Sequence, residues 1–195
     1  MLRIQRSVGQ GFTIGGLARI EITGIRDSNR VKVAIDAPRQ VSVLRDELIE
    51  RADPEQSPYA SVGILSVEDD HLFGDLLDAA FRFIGVGSST RCNNVEDALT
   101  KLQASDTVQT KPSAVLVDYH LLGVTGDRIV SWIRDRPAWQ RTPIVMLSGS
   151  DDPQIADECL RLGANAFLRK PDTFTELVKI IDNLLSFWMS PAHQI

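Results

Sequence analysis

The chain has little of what usually narrows a reading at once. Of its 195 residues only two are cysteines, Cys92 and Cys159. Each sits among apolar residues of a periodic segment, so reduced core thiols are expected rather than a disulfide framework. No apolar run approaches the ~18 residues that a membrane span needs. The start, Met1-Leu2-Arg3-Ile4-Gln5-Arg6, lacks the apolar stretch of a signal peptide. A non-membrane, cytoplasmic protein is therefore expected. There is no internal repeat, no low-complexity tract and no dominant charge: the net charge is −5, with an apolar content of 43%, ordinary for a globular protein.

What the chain does have is two grammars. Residues 1–53 carry 9 Lys/Arg against 7 Asp/Glu, whereas residues 54–195 carry 12 against 19. A slightly basic head on an acidic body predicts two modules with different partners. The polar, proline-bearing stretch Asp53-Pro54-Glu55-Gln56-Ser57-Pro58 reads as a linker between them. The expected division is a module over 1–53, a linker over 54–60 and a second module over 61–190.

The first module alternates with period two. Ala18, Ile20 and Ile22 fall on one strand face, and Arg19, Glu21 and Thr23 on the other. Val31, Val33 and Ile35, then Val41 and Val43, repeat the pattern. Turn signals at Gly9-Gln10-Gly11, Gly15-Gly16, Asp27-Ser28-Asn29 and Ala37-Pro38 separate the strands. Five short strands and one helix, Leu44 to Ala52, are expected. So small a unit, with no cysteine and no evident metal site, is near the lower limit for an independent core. A homodimer is expected from size alone.

In the second module strands alternate with helices. Strands are expected at Val62–Val67, Val86–Cys92, Ala114–Asp118, Pro143–Ser148 and Asn165–Arg169. The helices carry Leu72, Leu76, Ala80 and Phe83; then Val95, Ala98, Leu99 and Leu102, capped by Asn93 with Glu96; then residues 127–136; then a helix opened by Asp152-Pro153 and closed by Gly163; and last Leu177, Ile181, Leu184 and Trp188. Five β/α units predict an α/β doubly wound parallel sheet. Trp132 and Trp139 read as packing or surface aromatics, and His71 as a helix-surface histidine.

Sheets of this kind bind ligands at the carboxyl ends of their strands. Those ends hold Glu68-Asp69-Asp70, Asp118, Ser148 and Lys170. Carboxylates from several strands repel one another unless a cation joins them. All-oxygen donors favour Mg²⁺. A hydroxyl and an ammonium at the remaining ends suit the oxygens of a phosphoryl group. Taken singly, a strand-end Asp is more often a helix cap, and Glu68-Asp69-Asp70 can serve as one.

Val67-Glu68-Asp69-Asp70, Leu116-Val117-Asp118, Leu147-Ser148-Gly149 and Arg169-Lys170-Pro171 resemble, in order, the four motifs of bacterial response-regulator receiver domains. The resemblance implies that Asp118 takes a phosphoryl group from a histidine kinase or phosphotransfer protein. It implies Mg²⁺ held by Glu68, Asp69, Asp118 and the backbone carbonyl of His120. Ser148 and Lys170 bind the phosphoryl group, and Phe167 matches the switch aromatic. No separate enzymatic activity is expected. Leu122 departs from the proline common in the family four residues after the phosphoacceptor, while Gly126 is in place.

Met1-Leu2, Arg6, Val8-Gly9, Ile14-Gly15, Gly24, Ala37-Pro38 and Val41-Ser42-Val43-Leu44-Arg45-Asp46-Glu47-Leu48 resemble the carbon storage regulator family (CsrA/RsmA). That resemblance implies an interlaced homodimer with two RNA sites, each built from the first strand of one chain and the last of the other. It implies recognition of GGA in single-stranded loops of messenger leaders, with no DNA partner. The RNA-binding candidates are Ile4, Arg6, Ala37, Pro38, Val43 and Arg45. Ser7, where a second basic residue is common, and Leu44, where histidine is common, depart from the pattern. Together with the low charge they leave a second expectation open, a dimeric phospho-signalling scaffold that acts through protein contacts and has lost most RNA binding.

Overall fold

The computed structural model describes residues 4–14, 16–27, 30–38, 56–108 and 111–189. It forms two compact units, Met1–Arg45 and Asp46–Ile195.

In the first unit β1 (Gly11–Ile14), β2 (Ala18–Asp27) and β3 (Arg30–Asp36) form an antiparallel sheet in that order. Gly16, with φ of 71°, makes the reversal between β1 and β2 in a region that side chains disfavour. The β2–β3 register sets Ile20 opposite Ile35, Ile22 opposite Val33 and Ile25 opposite Val31. This is an apolar ladder on one face. Of the described apolar residues in this unit only Ala18 is buried; Val31, Val33 and Ile35 are 57%, 52% and 40% exposed. The strands stand where the period-two pattern sets them, but β3 is exposed at every position rather than half-buried, and the period of β2 breaks at register shifts between Ile22 and Gly24 and between Ile25 and Asp27. Residues 4–6 are in no strand among the described residues. The strand expected at Val41–Leu44 and the helix Leu44–Ala52 lie outside the described residues.

In the second unit the order of elements is β4 (Gly63–Val67), α1 (His71–Ile84), β5 (Ser88–Cys92), α2 (Val95–Val108), β6 (Ala114–Asp118), a small hairpin of β7 (His120–Leu121) and β8 (Val124–Thr125), α3 (Asp127–Arg134), a 3₁₀ turn (Pro137–Trp139), β9 (Ile144–Ser148), α4 (Pro153–Arg161), β10 (Ala166–Arg169) and α5 (Phe174–Trp188). The parallel sheet runs β5-β4-β6-β9-β10. Strand alternation sends Leu65, Val67, Val115, Val117 and Met146 into a core with α2, α3 and α4. Ile64, Leu116, Val145 and Leu147 face α1 and α5. With both faces covered, β6 and β9 are buried at every position.

Several element boundaries differ from the expectation. Strand β5 starts at Ser88, because the Val86 amide donates to Phe81 O at 2.9 Å and the Gly87 amide to Tyr59 O at 2.9 Å. The buried face of α1 is Gly74, Leu77, Ala80, Phe81 and Ile84, so Leu72 is exposed rather than inward. Asn94, not Asn93, caps α2, accepting from the Asp97 amide at 2.8 Å. Helix α3 stops at Arg134 because Arg136 precedes Pro137 and is held extended at φ −112°, ψ 113°. Trp139 is wholly buried and donates its indole N–H to Asp106 Oδ1 at 2.6 Å.

A strap precedes β4. Ser57 Oγ donates to Ile84 O at 2.9 Å, and Tyr59 Oη donates to Asp182 Oδ1 on α5 at 2.8 Å. A Cβ on Gly87 would collide with Ala60 O, so the strap lies directly on that glycine. Burial, then the bond to Asp182, pushes the Tyr59 hydroxyl up to about 12.

Candidate functional site: an acidic pocket at the strand ends

Strands β4 and β6 are neighbours whose connections leave on opposite faces, so a crevice opens at their carboxyl ends. The three acids after β4 have separate tasks. Asp70 is the N-cap of α1 and accepts from the Leu72 amide at 2.8 Å. That fixes the turn and leaves Glu68 and Asp69 facing Asp118 at the end of β6. One carboxylate oxygen from each of Glu68, Asp69 and Asp118 lies within 4.8 Å of the other two.

Lys170, just past β10, reaches into this group. Its Nζ lies 2.8 Å from Asp118 Oδ2 and 2.9 Å and 2.8 Å from the two oxygens of Glu68. The Phe73 ring lies beneath the ammonium, 4.6 Å from its centroid. The His120 amide donates to Asp118 Oδ1 at 3.1 Å, and the Asp70 amide to Glu68 Oε1 at 3.1 Å. Ser148 Oγ, fully buried at the end of β9, accepts from the Ser150 amide at 3.1 Å. The Lys170 amide donates to Ser148 O at 2.7 Å, which seats the lysine beside the serine.

The electrostatics follow from burial. Loss of solvent pushes the Glu68 carboxyl up to about 7; its bond to Lys170 opposes this and the charge of Asp118 adds to it. Burial works against the Lys170 ammonium, but bonds to Asp118 and Glu68 outweigh it and hold its pKa above the ordinary value. The one ammonium thus pairs with two of the three carboxylates, Asp118 and Glu68. The uncompensated charge and the all-oxygen donor set fit a hard divalent cation.

The pocket gathers Glu68, Asp69, Asp118, Ser148 and Lys170, with the His120 peptide beside Asp118. Phe167 is elsewhere: it is half-buried on β10 against the core under α2–α4. Gly126 N–H donates to Tyr119 O at 2.9 Å, and a Cβ there would strike Asp118 O and Val117. Leu122 occupies the tip of the β7–β8 hairpin, 82% exposed, so the departure from proline touches a solvent-facing turn. Phe73 was missed by the sequence reading; its only signal is its place three residues after the capping aspartate.

In the first unit Ile4 and Arg6 border one hollow with Gln10 and Ile22, and Ala37 and Pro38 border another with Thr13 and Arg19. Arg6 turns onto its own main chain, donating to Gly11 O at 3.2 Å and Gln5 O at 2.9 Å. Val43 and Arg45 lie outside the described residues.

The response regulator receiver domain family model matches residues 64–182. The chain belongs to that family. A second model, the global regulator protein family CsrA, matches residues 1–53. The two-component response regulator ARR6 of Arabidopsis thaliana is 25% identical over 131 residues, 63% of this chain and 68% of that protein. The receiver domain of a response regulator from Rhodospirillum rubrum superposes with a TM-score of 0.57 at 29% identity, over 65% of this chain and 93% of that one. The Mn²⁺-bound form of response regulator Rcp1 gives 0.55 at 21%, over 67% and 96%, a likeness of fold alone. Among the described residues no helix is long and apolar enough to cross a membrane.

Proposed function

We propose that the chain is a cytoplasmic two-component response regulator whose output is the amino-terminal RNA-binding module, governed by phosphorylation of Asp118. The observation that carries the receiver half is the Lys170 ammonium set between Asp118 and Glu68, with Ser148 at the adjoining strand end. In the reaction, an Asp118 carboxylate oxygen attacks the phosphorus of a phosphohistidine in line. The P–N bond breaks, the imidazole nitrogen takes a proton, and an acyl phosphate forms. Lys170 and the Ser148 hydroxyl hold phosphoryl oxygens, and the His120 amide keeps the nucleophile oriented. Glu68, Asp69 and Asp118, with the His120 carbonyl, would hold Mg²⁺, which supplies charge neutralisation at the phosphoryl group. Phe167 reports the state of the pocket to the surface. The product is a signal, and no other enzymatic activity is assigned.

The RNA half is supported by the family match over residues 1–53. The uncovered apolar ladder of β2 and β3 supports an interlaced homodimer. Each RNA site then combines Ile4 and Arg6 of one protomer with Ala37, Pro38, Val43 and Arg45 of its partner, and takes GGA in messenger loops by base edges and stacking. Phosphorylation biases RNA affinity by a coupling of ~1–3 kcal/mol. One observation favours the scaffold reading: the Arg6 guanidinium is held by main-chain carbonyls.

Titration of a GGA stem-loop RNA with the full chain, with and without Mg²⁺ and beryllofluoride, tests both. The expected result is binding that weakens at least tenfold in Arg45→Ala and shifts by about 5- to 150-fold with the phosphoryl mimic. Binding indifferent to the mimic removes the coupling, and absence of RNA binding leaves the scaffold.

A further inference from the structure

The low charge of the amino-terminal module conceals a polarity. Residues 1–45 carry 8 Lys/Arg against 3 Asp/Glu, and residues 46–53 carry 1 against 4. The strand-bearing part is therefore strongly basic.

Its cations differ in what they face. Arg6 is held by carbonyls, and Arg19 pairs with Glu21 at 3.4 Å and stands opposite Asp36 in the ladder. At the other end of the β2–β3 hairpin Arg26, Arg30 and Lys32 are all exposed. Among the described side chains none of the three has a carboxylate within ion-pair distance. Arg30 and Lys32 share the strand face opposite to Val31, Val33 and Ile35, about 7 Å apart by strand rise. Across from Lys32 stands Gly24, so on the neighbouring strand no side chain covers the lysine. Asp27 is across from Arg30. Even with Arg30 counted as neutralised, two cations remain in an open patch.

We infer that this end of the hairpin is a second RNA contact, taking backbone phosphates through Arg26, Arg30 and Lys32 and reading no base. It rests on the RNA-binding reading above and adds to it a surface on the polar face of the sheet, apart from the Ile4–Arg6 hollow. Arg30 and Lys32, two residues apart on β3, with Arg26 on the adjoining strand β2, match the closely spaced charges of a polyanion. The acidic receiver is the rival partner. Four of its acids are already paired, Asp75 and Asp78 with Arg91, Asp97 with Lys101 and Asp151 with Arg169.

The test is a salt titration of RNA binding by the full chain, using the GGA stem-loop and the same stem-loop with GGA replaced. The variant is Arg26→Gln/Arg30→Gln/Lys32→Gln. Losing three phosphate contacts lowers the slope of log K against log salt by about 2 and weakens both RNAs by at least about tenfold at low salt. Arg26→Lys/Arg30→Lys restores the slope. Should the triple variant fail to fold, Lys32→Gln alone lowers the slope by about 0.7. Wild-type binding to GGA RNA with an unchanged slope in the variants overturns this site and leaves the parent reading intact. So does a loss confined to the GGA sequence. Tighter RNA binding by the variant also overturns it and assigns the hairpin to the receiver. No RNA binding by the wild-type chain removes both readings.

Discussion

The two units solve the burial problem in opposite ways. The receiver puts β6 and β9 between two helical layers, so every residue of those strands is covered within one chain. The amino-terminal sheet has an isoleucine–valine ladder broken by two register shifts, and it leaves Ile25, Val31, Val33 and Ile35 of that ladder exposed. Secondary structure is therefore not the measure of a domain's independence; the measure is whether the chain supplies the second layer. In the homodimer proposed above, a second copy supplies the missing layer.

The comparison breaks most visibly in oligomerisation. Unfolding of the full chain should show a receiver transition independent of protein concentration. The amino-terminal transition should gain about 1.4 kcal/mol per tenfold rise in concentration. Val33→Lys, on the uncovered ladder, should abolish the second transition altogether by circular dichroism. A concentration-independent amino-terminal transition would mean that the unit stands alone.

A smaller effect tests the receiver's self-sufficiency. Trp139 is fully buried, stacks edge-on against Trp132 at 5.6 Å and bonds to Asp106. Trp139→Ala should cost the receiver about 3–5 kcal/mol while leaving the concentration dependence of the amino-terminal unit untouched. Chemical denaturation followed at both transitions measures this, and loss shared by the two would mean that they are not independent.

The smallest effect concerns the strap. Tyr59→Phe removes the bond to Asp182 and should cost about 1 kcal/mol of receiver stability near neutral pH. The Tyr59 hydroxyl is raised from 10.0 to about 12, so the folded state favours the neutral form. The wild-type advantage is complete below pH 10 and disappears as the pH rises through 10 to 12. Melting curves of the two proteins should converge across that window; a constant gap would place the stabilisation elsewhere.

How much was legible varied with the kind of signal. The β/α grammar, the convergence of Glu68, Asp69 and Asp118 and the Asp152 cap of α4 follow from strand-end position and short-range pattern. The face of α1 was less legible because its apolar residues spread over a wide arc. Gly74, without an apolar side chain to announce it, sits on the buried side to admit the Arg91 guanidinium. Phe73 under Lys170 and the strap across Gly87 are long-range contacts, which no local period encodes. In the amino-terminal unit the alternation was readable, but nothing local distinguishes a face that meets its own chain from one that meets a copy.

The strap lies ahead of the residues matched by the receiver family, which begin at 64. Everything upstream pulls on the receiver through it. Its anchors are the carbonyl at the end of α1 and a carboxylate on α5, on the side of the sheet away from α3 and α4. The strap is therefore fastened to the α1–α5 layer, and β4, which follows it, pairs directly with the phosphoacceptor strand β6. The chain entering the receiver is thus pinned to two helices before its first strand begins.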